Sequence, residues 1–243
     1  MATKLTAFAN LSGQDLLTNS STQTMPIGSY METADGRGFR YAKNGAVATV
    51  AGKVYQSSAL DATNLQPSGG LGVSAAAIGD TSVTITTSIT LTANQLAGGY
   101  LSVDVTPGQG YLYRIAGNTA VSGAAGAIIY LEDPLIIALT ASSKVIVAKH
   151  PYDGVVIEPG TPTGVIAGVP NGVFTAAYYF WIQTHGTASV LFTGTGVAGK
   201  AVGSLSGGTS GSMAPAIAAT NIGGYHIATG ITGEYALIFL NID

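Results

Sequence analysis

Cysteine is absent from the 243-residue chain, and charge is scarce: charged residues are 9% of it, against about 25% in an ordinary soluble domain. The first absence excludes a disulfide framework, a thiolate nucleophile and a cysteine-type zinc site. The second leaves few titratable groups from which to assemble an active site, and it suits surfaces covered by neighbouring subunits, because interface cores are depleted in charge. The net charge is −3 and no Lys or Arg follows Lys200. Binding to a phosphate backbone needs a basic footprint, so no direct nucleic-acid partner is expected. Long apolar runs are missing as well. The strongest, Val173 to Ile182, is about half of the roughly 20 residues a spanning helix needs, so no membrane partner is expected. The opening MATKLTAFANLSGQDLL lacks an apolar core of signal-peptide length, and nothing in it marks the chain for export.

What is present is small and turn-forming. Gly occurs 34 times and Tyr 12 times, with Ala, Ser, Thr and Val filling much of the rest. Sustained 3.6-residue periodicity is hard to find, whereas short β-rich runs bounded by Gly, Pro, Asn or Asp recur throughout. The expected fold class is therefore all-β, with two β-rich lobes, antiparallel and sandwich- or barrel-like, and an extended N-terminal arm. Residues 1–38 read as the arm, 39–148 as the first lobe, 149–172 as a Pro/Gly-rich linker carrying Pro151, Pro159, Pro162 and Pro170, and 173–243 as a C-terminal β-barrel-like lobe.

Within this frame, Asp35-Gly36 is a turn signal. Gly38 to Lys43 reads as a strand with Phe39 and Tyr41 on one face and Arg40 on the other, and Asn44-Gly45 supplies a type I′ hairpin into Ala46 to Val50. Further strands are expected near 82–91, 99–105, 111–116, 127–131 and 135–139, with Gly117-Asn118 as one of the turns between them. After the linker, strands are expected at Phe174 to Thr184, 188–193, 222–228 and 234–242, with Gly207 to Pro215 as a flexible stretch.

No chemical motif survives a test of mechanism. Gly194 to Ala201, GTGVAGKA, nearly matches a phosphate-binding loop. Its last position lacks the magnesium-binding hydroxyl, and the glycine-rich residues that follow cannot sustain the required helix, so it reads as a turn between strands. His150, His185 and His226 share no metal-ligand spacing. Glu132-Asp133 precedes Pro134 and reads as a turn, and there is no G-x-S-x-G elbow. No catalytic residue, cofactor or metal is expected, and the chain is not expected to be an enzyme. The tyrosines, among them Tyr100, Tyr111, Tyr113, Tyr178 and Tyr179, read as partly buried core, some as interface anchors. Arg37, Arg40, Lys43 and Lys53 place four of the nine basic residues within 17 positions, with Tyr41 among them. This group reads either as a contact for an acidic partner surface or as a solvated hairpin.

Four segments, Gly36 to Ala46, Pro107 to Ile115, Leu131 to Pro134 and Pro151 to Val155, resemble a family of virion proteins of tailed bacteriophages, particularly aquatic ones. The C-terminal part, Trp181 to Gly186, Ile222 to Tyr225 and Tyr235 to Leu240, resembles the β-tulip of capsid decoration proteins. The resemblance implies a decoration or cement protein, made in the host cytoplasm and placed on the virion's capsid exterior. It implies binding to the outer surface of the major capsid protein lattice as a homotrimer at threefold or quasi-threefold positions, with the arm reaching across neighbouring subunits. The other reading is a tail- or fibre-associated module that binds a receptor or carbohydrate, with exposed Tyr and Trp stacking on sugar rings.

Overall fold

The structure, a computed structural model, describes residues 15–59, 61, 63–123, 125–204, 207–217 and 221–243. Its strands in chain order are Tyr30–Glu32 (β1), Gly38–Asn44 (β2), Tyr55–Gln56 (β3), Leu71–Gly72 (β4), Ser82–Thr87 (β5), Tyr100–Val105 (β6), Leu112–Asn118 (β7) and Ala125–Leu131 (β8). They continue with Lys144–Ala148 (β9), Asp153–Ile157 (β10), Ile166–Gly168 (β11), Tyr179–Leu191 (β12), Ala201–Ser204 (β13), Ala214–Pro215 (β14), Asn221–His226 (β15) and Tyr235–Asn241 (β16). Among the described residues the only helix is one 3-10 turn, Asp15–Leu17. The chain is all-β, as expected, and forms two compact units.

The lobe boundaries differ from those read in the sequence. Residues 1–59 and 151–243 make one unit, and residues 60–150 are a second unit inserted between them. The reason is pairing at long range. Strand β2 lies beside β12, with Trp181 opposite Tyr41, and runs parallel to β10, so residues 38–59 belong with the C-terminal half. The segment 149–172 is no linker, because it contributes β10 and β11 to the same sheet. The described part of the expected arm is packed: Leu16 and Met31 are buried and β1 pairs with β2 around the Asp35-Gly36 turn. Residues 1–14 of that arm lie outside the described residues.

In the larger unit the sheet order is β11-β3-β10-β2-β12-β16-β15-β13-β14, with β1 also on β2. A bridge between Val169 and Gln183 brings the β11 end back onto β12, closing the first five strands into a ring. Ala42, Tyr55, Val155, Phe174, Phe180 and Ile182 form one buried cluster on that ring, and Phe174 reaches Phe180 at 4.7 Å from the loop before β12. Val190, Phe192, Val202, Met213, Ile238 and Leu240 form a second cluster under the remaining strands. Met213 is fully buried, so the stretch expected to be flexible is anchored. On the opposite side of the sheet, Leu16 and Met31 cover Phe39, Tyr41 and Trp181.

The inserted unit is a six-stranded sheet, β4-β9-β6-β7-β8-β5, nearly closed into a barrel by a bridge between Val73 and Ile85. Its alternating strands send Val83, Ile85, Leu101, Val103, Ile115, Ile129, Val145 and Val147 inward. Gly117-Asn118 is not a turn. It ends β7 after a bulge, and buried Asn118 accepts from Leu96 N–H at 2.8 Å and donates to Thr92 O at 2.9 Å, stapling the loop before β6. Residues 135–139 form no strand; Leu135 and Leu139 are loop residues buried in the barrel core.

Candidate functional site

The large sheet is only partly covered, and β12 shows where. Before its register shift at Gln183–His185, Phe180 and Ile182 are buried in the ring's core while Trp181 lies beneath the N-terminal segment. Beyond the shift Ala188 and Val190 are buried in the second cluster, whereas Thr187 and Ser189 are exposed. The uncovered part holds two adjoining features, a polar cleft and an apolar ridge.

The cleft, of about 450 Å³, is lined by Arg37, Asn171, Gln183, Thr187, Ser189 and Tyr235 among others. Two glycines shape it. Gly186 has φ of +82° at the irregular part of β12, where a Cβ would come within 3.1 Å of Arg37 Cα, so glycine lets the strand pass against the β1–β2 turn. Gln183 Nε2 pins this irregularity by donating to the carbonyls of His185 and Thr187, each at 3.0 Å. Gly52 has φ of +73°, and a Cβ there would lie 2.6 Å from Tyr235 Cε1, so glycine admits the tyrosine ring as a wall of the cleft. Backbone bonds of 2.8 Å from Gly52 N–H to Pro170 O and from Leu191 N–H to Gly52 O hold that turn in place.

Arg37 is the only charged residue lining the cleft. Its Nε donates to Asp35 Oδ2 at 2.8 Å. Hydrogen bonds from Thr33 first, and from Arg37 next, hold the Asp35 carboxyl below the usual carboxylate range. The cation is therefore offset by a neighbour on the same turn. At the cleft wall Asn171 Oδ1 is a buried acceptor without a partner.

The remaining members of the basic group do not form one patch. β2 alternates, so Lys43 follows Phe39 and Tyr41 on the outer side, its Nζ 5.5 Å from the centre of the Tyr179 ring, while Arg40 points to the other side. Arg40 is engaged internally, with Asp243 at 2.9 Å, Gly28 O at 2.9 Å and the Tyr30 ring at 4.9 Å. Tyr41 is buried, stacked on Tyr179 at 5.9 Å and edge-on to Trp181 at 5.2 Å, with its hydroxyl bonded to Thr24. A side chain buried in this way cannot be a partner contact. Lys53 lies with its aliphatic stem against Gly211. Trp181, with only 5% exposure, offers no ring to a ligand either.

The apolar ridge follows from strand alternation in β16. Ala236, Ile238 and Leu240 are buried, while Tyr235, Leu237 and Phe239 point outward. Tyr225 stands directly opposite Phe239 across the β15–β16 pair, and His185 sets its ring edge-on to Phe239 at 5.1 Å. Ile227 and Ile231 extend the exposed apolar surface in the loop between these strands. No Lys or Arg follows Lys200, and Glu234 is the one acid between Tyr225 and Phe239.

Glu158 and His226 are buried elsewhere in this unit. Burial raises Glu158 to about 7, with the Ser204 hydroxyl acting in the opposite direction. His226 is buried edge-on to Phe192 at 4.5 Å, and burial lowers its pKa. A Cβ on Gly196 would run into the His226 ring, so this glycine of the near phosphate-loop serves close packing. That loop leads into strand β13 and not into a helix. Among the described residues no three His, Asp or Glu side chains are grouped to hold a metal, and no helix is long and apolar enough to cross a membrane.

Neither the cleft nor the ridge was foreseen as a site. The cleft draws its lining from five separate stretches, and Arg37 was the one residue already singled out. The ridge carried a legible signal, the alternation of Tyr235, Leu237 and Phe239 with smaller or core-directed neighbours. No protein-family model, curated protein or solved structure matches the chain.

Proposed function

We propose that the protein is a structural virion component of a tailed bacteriophage, a decoration protein that binds the outer surface of the major capsid protein lattice as a symmetric oligomer, a homotrimer. The observation that supports this reading is the apolar ridge. Tyr235, Leu237, Phe239, Tyr225, Ile227 and Ile231 are each at least 39% exposed on a surface almost without charge. Contiguous apolar surface of this kind marks association, and the centres of interfaces are poor in charge and rich in aromatic residues. A rigid sheet presents such a surface with little conformational entropy to lose on binding.

On this reading the ridge is buried between copies of the chain or against the shell, and many modest contacts add by avidity over the lattice. Binding to the assembled shell stabilises it by mass action. Lys43 and Lys53 remain available to an acidic patch on the capsid, whereas Arg37 is offset by Asp35. The protein then works on the capsid exterior after synthesis in the host cytoplasm, without catalysis, cofactor or contact with nucleic acid.

The test is rebinding. Purified protein is mixed with cognate capsids stripped of their outer proteins, and stoichiometry and capsid melting temperature are measured. Stoichiometric binding with a raised melting temperature is expected. Binding to host cells with no binding to capsids would replace this reading with the tail or fibre one.

A further inference from the structure

We infer that the cleft between Arg37 and Tyr235 binds one neutral pyranose unit of a saccharide. Its volume of about 450 Å³ lies in the range of about 300–1,000 Å³ usual for small-molecule sites, at the end suited to a single sugar ring. A pyranose has an apolar C–H surface and a rim of hydroxyls that each donate and accept. The cleft answers both. Tyr235 is 50% exposed and is seated against Gly52, so it offers an aromatic wall whose position the backbone fixes.

Around that wall stand groups that match hydroxyls. Thr187 and Ser189 carry hydroxyls on the exposed side of β12, and Asn171 lines the cleft beside them. Arg37 uses Nε for Asp35 and has its terminal nitrogens left as donors. The frame is held by Gln183 and Gly52, as described above, so little ordering is needed on binding.

The charge balance selects neutral over acidic sugars. Arg37 is the sole cation of the cleft and Asp35 already stands 2.8 Å from it. A carboxylate or sulfate would surrender its hydration for a cation that is already neutralised, whereas a hydroxyl loses little. The site shares Tyr235 with the ridge, and Ser189 stands opposite Leu237 across the β12–β16 pair, so sugar binding is measured on the isolated chain, apart from capsid rebinding.

The experiment titrates the full chain, by calorimetry and by NMR, with neutral trisaccharides of glucose, galactose, mannose and N-acetylglucosamine, with a galacturonate trisaccharide and with a short Asp/Glu peptide. At least one neutral sugar is expected to bind with a Kd of about 1 mM or tighter. Tyr235→Ala and the cleft-filling Ser189→Phe should each weaken it by about tenfold or more, and Tyr235→Phe by less than about threefold, since the ring is retained. Ser189→Phe lies at an exposed position and is checked for an unchanged melting temperature, which covers the case in which Tyr235→Ala does not fold. The inference is overturned if no neutral sugar binds, if only the galacturonate or the peptide binds, or if binding survives Ser189→Phe in the folded protein.

Discussion

Arg40 and Asp243 stand 203 positions apart in the chain and 2.9 Å apart in the fold, Nε to Oδ2. The pair is half-buried, with side-chain exposures of 30% and 24%. Its surroundings strengthen it: Arg40 also donates to Gly28 O, lies over the Tyr30 ring, and shares Asp243 with the Tyr152 hydroxyl. Removing either partner therefore strands a partly desolvated charge. Arg40→Met is expected to cost about 2 kcal/mol of unfolding free energy, and a double-mutant cycle with Asp243→Asn should show a coupling of about 1 kcal/mol. Denaturant titration of the four proteins measures both.

The same corner predicts a late step in the phenol titration. Burial first, and the Asp243 carboxylate next, raise the Tyr152 pKa far above its ordinary value. Absorbance at alkaline pH should show Tyr152 ionising after the exposed tyrosines, and the last step should be missing in Tyr152→Phe.

Glu158 sets a pH dependence of stability. Its folded pKa of about 7 lies above the ordinary 4.5, so between those values the folded chain holds a proton that the unfolded chain has released. Stability from this group is complete below about pH 4.5, falls as pH rises, and is lost above about pH 7. The shift corresponds to about 3 kcal/mol at most. Glu158→Gln keeps the shape without the ionisation, so its stability should change less between pH 5 and pH 8 and should exceed that of the wild type at pH 8. Denaturant melts at the two pH values decide it; a wild type that gains stability toward pH 8 relative to the variant would sink the assignment.

The local pattern was more legible than the pairing. Short β-rich runs placed β5, β6, β7, β8, β15 and β16 close to where they lie, and alternation put Phe39 and Tyr41 opposite Arg40 on β2. But β4 and β9 went unread, 135–139 is loop, and β16, continuous enough in sequence to sit inside a sheet, turns Tyr235, Leu237 and Phe239 outward. Pairing at a distance defeated the reading of Asn44-Gly45. In place of a hairpin, Asn44 is buried with its amide donating to Val47 O and Thr175 O, and β2 continues into pairing with β10 from more than a hundred positions onward. A turn dipeptide reports local preference only, and here tertiary contacts outweigh it. The lobe boundaries failed for the same cause, since a contiguous stretch carries no mark of the sheet it joins. The cleft was illegible because Arg37, Gly52, Asn171, Ser189 and Tyr235 meet only after the sheet has formed.

The inserted unit carries its own core, and this predicts autonomy. Residues 60–150 close a nearly complete barrel around Val83, Ile85, Leu101, Ile115, Ile129 and Val147, all at 0–1% exposure. Expressed alone, the segment should give a β-type circular dichroism spectrum and a single cooperative melt. Ile85→Ala in that fragment should cost about 2–5 kcal/mol, as for other fully buried aliphatic truncations. A fragment that shows no cooperative transition would mean that the barrel depends on the rest of the chain.

The ridge predicts the oligomeric state. Leu237 and Phe239 point outward from β16, at 43% and 39% exposure, while Ala236, Ile238 and Leu240 hold the strand to the core. Replacing both outward residues by Lys leaves the core untouched, so the change in fold stability should stay within about 1 kcal/mol, the strand-propensity difference included. On the proposed reading, in which this surface meets its own kind, placing two cations on each copy adds repulsion where burial is favourable. Wild-type protein should sediment as a trimer at micromolar concentration, and Leu237→Lys/Phe239→Lys as a monomer that no longer rebinds stripped capsids. Tyr130→Lys, at a position 44% exposed on the inserted barrel, serves as the control and should change neither. A double variant that remains trimeric and still binds would move the interface away from β15 and β16.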